Sequence, residues 1–278
     1  MVYLLLAIAA SAMVSIVMRL STHRVKQNIG MLAMNYFVCM LMAAFYAGVG
    51  GLLPDSPALG QTLGLGAING ALYLGGFVLL QFNIRKNGVV LSSVFMKLGL
   101  LVPMAVSVIA FGEKPEILQI AGFVLALAAI VLINSGGEKG AVSSGLWLVL
   151  LLLGGGCCDM MSKVYEELGD KALSPSFLLY TFAAACILCF ALMAAKKQHI
   201  GIAEVFWGVL IGIPNFFSAK FLLRALEDID AVIVYPTYSV ATLLVITLVG
   251  VVFFREKLGK RQYIALGIIL AALALLNL

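Results

Sequence analysis

The sequence predicts an all-α integral membrane protein with ten transmembrane helices arranged as two inverted five-helix repeats, and three observations carry that prediction. The first is composition: 63% of the 278 residues are apolar, 11% are charged, and the mean hydropathy is +1.11. A globule of that size needs polar surface to meet water, so the solvent for this chain is lipid. Backbone groups in lipid must be satisfied inside the spanning element, which apolar runs of about 20 residues achieve as helices. The second is segmentation, because charged or Gly/Pro-rich stretches separate ten apolar runs. The third is internal repetition. Phe111-Gly112-Glu113-Lys114 and its apolar run to Asn134 return as Phe254-Arg255-Glu256-Lys257 and an apolar run to Asn277. Aligned without a gap, these 24-residue windows share 9 identities.

The runs cover residues 2–20, 30–50, 61–84, 88–112, 115–134, 144–166, 175–195, 204–226, 230–254 and 260–277. The first contains Ala10-Ser11-Ala12 but lacks the basic n-region of a signal peptide, so it is read as a mature span. The third carries Asn69, Tyr73 and the pair Gly75-Gly76. The fourth exceeds the length needed to cross, which points to tilt or an extramembrane end. It also contains Pro103, as the eighth contains Pro214 and the ninth Pro236. Such prolines, with Gly154-Gly155-Gly156 in the sixth run, mark bends or close approaches between helices. An offset of 144 places Asp159, Lys163 and Tyr180 on Ser15, Arg19 and Tyr36, so the sixth to tenth runs repeat the first five. Five is odd, so the second copy (137–278) must enter the membrane in the opposite sense to the first (1–136). Both copies form one integral membrane unit, with a substrate site expected where they meet.

Loop charge orients the bundle. Arg24, Lys26, Arg85, Lys86, Lys139, Lys196, Lys197, Arg255, Lys257, Lys260 and Arg261 fall in odd-numbered connections, against Lys114 and Lys171 in even ones. Positive charge stays inside, which places both termini outside the cytoplasmic membrane. The net charge of +5 is thus explained by loops, and no nucleic-acid stripe is present. All five cysteines (39, 157, 158, 186 and 189) lie in apolar runs, so neither disulfide nor zinc site is expected.

The two closing segments, Gly112-Glu113-Lys114-Pro115 to Asn134 and Arg255-Glu256-Lys257 to Asn277, together with ten runs in two halves, resemble the EamA-type members of the drug/metabolite transporter superfamily. The resemblance covers essentially the whole chain. It implies a central cavity lined by the first, third, fourth, sixth, eighth and ninth spans, with the fifth and tenth packed at the periphery. The chain also looks like a doubled relative of the four-span small multidrug resistance proteins, which carry an essential Glu in their first helix. Here Ser15 stands near that place in the first half and Asp159 in the second.

Ionisable groups inside apolar runs are costly and so mark candidate sites. Lys97, about nine residues into the fourth run, lies ~14 Å deep. It is read as a cavity-facing cation for an anionic substrate group or a proton donor, or else as a structural partner for a buried carboxylate. Asp159 lies ~22 Å from the cytoplasmic end of the sixth span. It either takes up a proton on one side and releases it on the other, or pairs with Lys163 one turn later. Lys220 and Arg224 approach the outer face of the eighth span, Lys220 facing the cavity or snorkelling and Arg224 lying at the interface. Asn69, Tyr73, Asn215, Tyr235 and Tyr238 complete the substrate-binding set, although helix packing is an alternative use of each.

These readings point to a secondary transporter of a small polar metabolite, an amino acid or related carboxylate, working by alternating access. An organic-anion or phosphorylated-metabolite exchanger is the alternative. The expected partners are lipid and a small-molecule substrate, with a proton or exchange supplying the drive and export favoured by the resemblance; the chain is expected to act as a monomer or homodimer. No G-x-x-x-x-G-K-[ST] loop occurs, no HExxH motif occurs, and His23 and His199 both sit in loops. No cofactor, metal or enzymatic activity is expected.

Overall fold

The computed structural model describes residues 1–21, 24–87, 92, 95–96, 98–134, 145–253 and 260–276, the side chains of 84, 85, 87, 133, 134, 261 and 262 excepted. Among these, α-helices with the following bounds run in order: α1 (Val2–Ser21), α2 (Asn28–Leu52), α3 (Leu59–Asn87), α4 (Leu101–Ala110), α5 (Ile117–Asn134), α6 (Gly145–Leu168), α7 (Ser174–Ala195), α8 (Ile202–Leu226), α9 (Ala231–Val252) and α10 (Lys260–Leu276), and Ser92, Phe95, Met96 and Leu98 are helical as well, ahead of a turn at Gly99-Leu100. A 3₁₀ turn, Lys171–Leu173, precedes α7. Each helix overlaps one of the ten apolar runs. Seven (α1–α3 and α6–α9) are long and apolar enough to cross a membrane, while α4, α5 and α10 are shorter apolar helices. Pro214 and Pro236 lie inside α8 and α9. Side chains such as Phe45, Ile109, Ile117 and Ile202 are exposed, as contact with lipid requires.

The helices sort into two compact units that cut across the two sequence halves. Unit 1 holds residues 1–74 and 164–227, hence α1, α2 and α7, α8 with parts of α3 and α6. Its seams are built on small residues. Gly66 and Gly70 let α3 approach α7 so closely that a Cβ on Gly70 would lie 2.5 Å from the Thr181 carbonyl oxygen. Gly208 and Gly212 do the same for α8 on α2, where added Cβ atoms would meet Met34 and Val38 at 2.5 and 2.7 Å. Both pairs have the G-x-x-x-G spacing, which puts them on one helix face and lets backbones gain dispersion contacts that side chains would block. Van der Waals contact matters more here than in water, since lipid gives apolar surface no reason to cluster.

Unit 2 holds residues 75–163 and 228–278. There α5 packs on α10, and a core of Phe123, Ala126, Ile130, Ile269, Ala272 and Leu276 forms the seam. Val240 of α9 joins it. Gly112, at φ +71°, sits in the left-handed region that glycine adopts without a Cβ penalty. That conformation ends α4 and sets the position of the next residue, Glu113.

Candidate functional site

Unit 1 contains a cavity of about 440 Å³ lined by α1, α2, the 3₁₀ turn, α7 and α8. Its volume falls in the range of roughly 300–1,000 Å³ typical of small-molecule sites. Aromatic rings form much of the wall, with Tyr3, Tyr46, Phe216 and Phe221 among the lining residues. The charged lining is Lys171, Lys220, Arg224 and Glu227. Two of the three cations are neutralised locally: Lys171 donates to Glu166 at 2.8 Å, and Arg224 pairs with Glu227. Lys220 has no carboxylate partner among the described residues. Its ammonium instead sits 3.2 Å from the centroid of the Tyr46 ring. The negative face of that ring holds the cation, and more strongly where water is scarce.

Tyr46 leads away from the cavity into the unit's interior. It stacks on Phe216 at 5.4 Å, Phe216 meets Phe182 at 6.3 Å, and Phe182 contacts both Tyr36 and Tyr73. Helices α2, α3, α7 and α8 all contribute to this aromatic column, which is possible because the glycine seams bring their backbones close. Tyr73, a predicted substrate residue, is thus placed in the column.

The other predicted residues are placed as follows. Asn69 on α3 is 2% exposed, and its Oδ1 has no hydrogen-bond partner among the described residues. Thr181 Oγ1, also in unit 1, shares that condition. An unmet buried acceptor costs about 1–3 kcal/mol, so water or a ligand is the natural complement. Asn215 donates to Asn35 Oδ1 at 3.2 Å and approaches Cys39 Sγ at 3.6 Å, tying α8 to α2. Tyr235 in unit 2 is 1% exposed and donates its hydroxyl to the Asp159 carbonyl oxygen at 2.6 Å. Asp159 and Tyr238 also belong to unit 2, whereas Asn69, Tyr73, Asn215 and Lys220 belong to unit 1. Lys97 lies outside the described residues, as does the second Phe-x-Glu-Lys segment at 254–257.

Lys163 in unit 2 bonds Glu113 at 3.0 Å, with side chains only 5% and 8% exposed. Glu113 also accepts from the backbone amides of Ala231 and Val232, each at 3.0 Å, and so caps α9. Asp230, the residue at the N-cap, makes no side-chain cap of its own. The carboxylate thus meets two orphan donors and the positive end of the α9 dipole together. Among the described residues, no group of three or more His, Cys, Asp or Glu side chains could hold a metal.

Sequence reasoning passed over Tyr46, Asn35 and Glu113 as site or tie residues. Asn35 could have been found by the same rule that singled out Asn69, since it is an amide inside an apolar run. Tyr46 had no such signal, because an aromatic near a helix end is as common at the headgroup level as in a binding wall.

The EamA-like transporter family model matches this chain twice, over residues 1–135 and 145–278. The chain belongs to the EamA-like transporter family. It is therefore a membrane transporter, and its apolar helices agree with a multi-pass protein. Among relatives of this EamA-like transporter, a protein of Haemophilus influenzae is 23% identical over 98% of the chain and 95% of its own length. The inner membrane transporter YedA of Escherichia coli is 25% identical over 60% of the chain and 55% of its own length. The membrane protein YvaE of Bacillus subtilis is 36% identical over 33% of the chain and 82% of its own length. A solved protein structure matches 99% of the chain and 96% of its own at a TM-score of 0.78 with 16% identity, which shows a shared fold.

Proposed function

We propose that this EamA-like protein is a secondary transporter of a small carboxylate-bearing metabolite, an amino acid or related acid, and that it works by alternating access in the cytoplasmic membrane. The observation that carries the substrate class is Lys220. It is a cation on an aromatic face in a cavity of ligand size, with no carboxylate of its own among the described residues. An organic anion or phosphorylated metabolite is the second reading, favoured because three cations and one carboxylate line the same cavity.

The two family matches support a chain built of two copies, and five helices per copy make those copies inverted. Loop charge supports both termini outside, and the cavity lies at the start of α1 and the end of α8, the helix ends that this orientation puts on that side. The inner membrane location of YedA agrees with the cytoplasmic membrane assigned here. Asp159 is assigned to proton coupling and Lys97 to substrate binding. Asn69 and Tyr73 contact the substrate deeper in unit 1, and export is the direction.

Purified protein in proteoliposomes, offered amino acids, organic anions and sugar phosphates with and without a pH gradient, tests this reading. Concentrative uptake of a carboxylate that collapses in Lys220→Met is the expected result. Transport of every active compound unchanged in both Lys220→Met and Lys97→Ala overturns the substrate-site assignment. Uptake that still follows the pH gradient in Asp159→Asn overturns the coupling assignment.

A further inference from the structure

We infer that the unit 1 cavity selects a monoanion with an apolar body over both a zwitterion and a dianion. The inference rests on the carboxylate-transport reading and narrows it, keeping the related acid as substrate and setting aside the zwitterionic amino acid. The argument is a charge balance at the cavity wall. Lys171 is matched by Glu166 and Arg224 by Glu227, each within direct hydrogen-bonding reach. Lys220 is left as one positive charge without a carboxylate partner among the described residues.

A carboxylate displacing Tyr46 as the partner of Lys220 completes the balance at zero. A zwitterionic amino acid brings the same carboxylate and an ammonium as well. That ammonium has only Glu227 to meet among the lining carboxylates, and Glu227 is already taken by Arg224. Its hydration would be lost without replacement wherever it faces Tyr3, Phe216 or Phe221, which is costly. A dianion leaves its second charge in the same position, unless Arg224 or Lys171 first gives up its carboxylate. The wall itself supplies the rest of the specificity. Tyr3, Phe216, Phe221 and Leu178 offer an apolar surface to whatever the carboxylate is attached to. Tyr46 and Lys220 hold each other, so ligand entry exchanges a cation–π contact for a charge-assisted hydrogen bond.

The test uses intact purified protein in detergent, with ligand-induced thermal stabilisation as the readout and four probes of one chain length: hexanoate, norleucine, hexanamide and adipate. They present a monoanion, a zwitterion, a neutral isostere and a dianion. Hexanoate is expected to bind about tenfold or more tightly than hexanamide and norleucine, the discrimination one charge-assisted hydrogen bond supplies. Adipate is expected to bind more weakly than hexanoate. In Lys220→Met the preference for hexanoate over hexanamide disappears, while Lys220→Arg retains it; size-exclusion profiles establish that both variants fold.

Norleucine or adipate binding as tightly as hexanoate overturns the inference, as does a hexanoate preference that survives Lys220→Met. Absence of binding by all four probes overturns it too. The carboxylate-transport reading is judged separately by the proteoliposome panel: carboxylate uptake alongside any of these three outcomes leaves that reading standing and removes only the monoanion selectivity.

Discussion

Each compact unit uses one buried glutamate to hold the backbone at the head of a helix that lies far away in sequence, yet the donors it holds differ in exposure. In unit 2, Glu113 takes the amides of Ala231 and Val232, both buried, and bonds the buried Lys163 as well. In unit 1, Glu204 takes the amides of Lys26 and Gln27 at 3.1 and 3.2 Å and that of Gly201 at 3.0 Å. Lys26 and Gly201 are exposed. Water therefore reaches the donors held by Glu204 more readily than those held by Glu113. The difference teaches that a buried carboxylate tie is worth what its partners would lose without it.

The largest expected effect comes from breaking the drier tie. Glu113→Ala leaves Lys163 without this carboxylate and uncaps two buried amides, so it should cost about 3–5 kcal/mol. Thermal unfolding in detergent reads this, and a melting temperature equal to the parent's would erase the contrast between the units. Next is Gly70→Leu, which drives a side chain into the α7 backbone and tests whether unit 1 relies on its glycine seams. Overpacking should cost about 1–3 kcal/mol, seen as lost monodisperse protein on size exclusion. Glu204→Ala should cost less than Glu113→Ala, about 1–2 kcal/mol, because solvent recovers part of the lost hydrogen bonding. If the two alanine variants unfold at the same temperature, water access is not what separates them. The smallest effect is Lys171→Gln, which breaks a pair whose lysine is 56% exposed. It should shift stability by less than about 1 kcal/mol, and the shift should vanish at high salt.

Most helix positions were legible in the sequence to within a few residues, whereas the fourth run, 88–112, is interrupted by a turn at Gly99-Leu100 before α4 begins at Leu101. The predicted runs 30–50 and 204–226 differ from α2 and α8 by two residues at an end. This precision has a local cause: in lipid a helix satisfies its own backbone, so the apolar run and its polar ends suffice to place it. Partnerships were less legible. Lys163 bonds Glu113 across the unit, a partner that the local spacing of the sequence does not name. The Phe-x-Glu-Lys turn was legible as a repeat, but not as the cap of α9, since no local pattern says where a loop carboxylate will point. Lys220 was legible as a costly charge, but the ring beneath it was not, because Tyr46 reaches it from another helix.

The sequence by itself determined an all-helical chain whose solvent is lipid, and it placed the helices and flagged the polar groups that need a reason to be there. Those are properties of short windows, governed by hydropathy and backbone hydrogen bonding within one element. Only the tertiary structure decided which helices share a unit, which charges cancel at the cavity wall and which one remains. Those depend on seams such as Gly66/Gly70 and Gly208/Gly212, where the absence of a side chain lets separate helices close to contact distance.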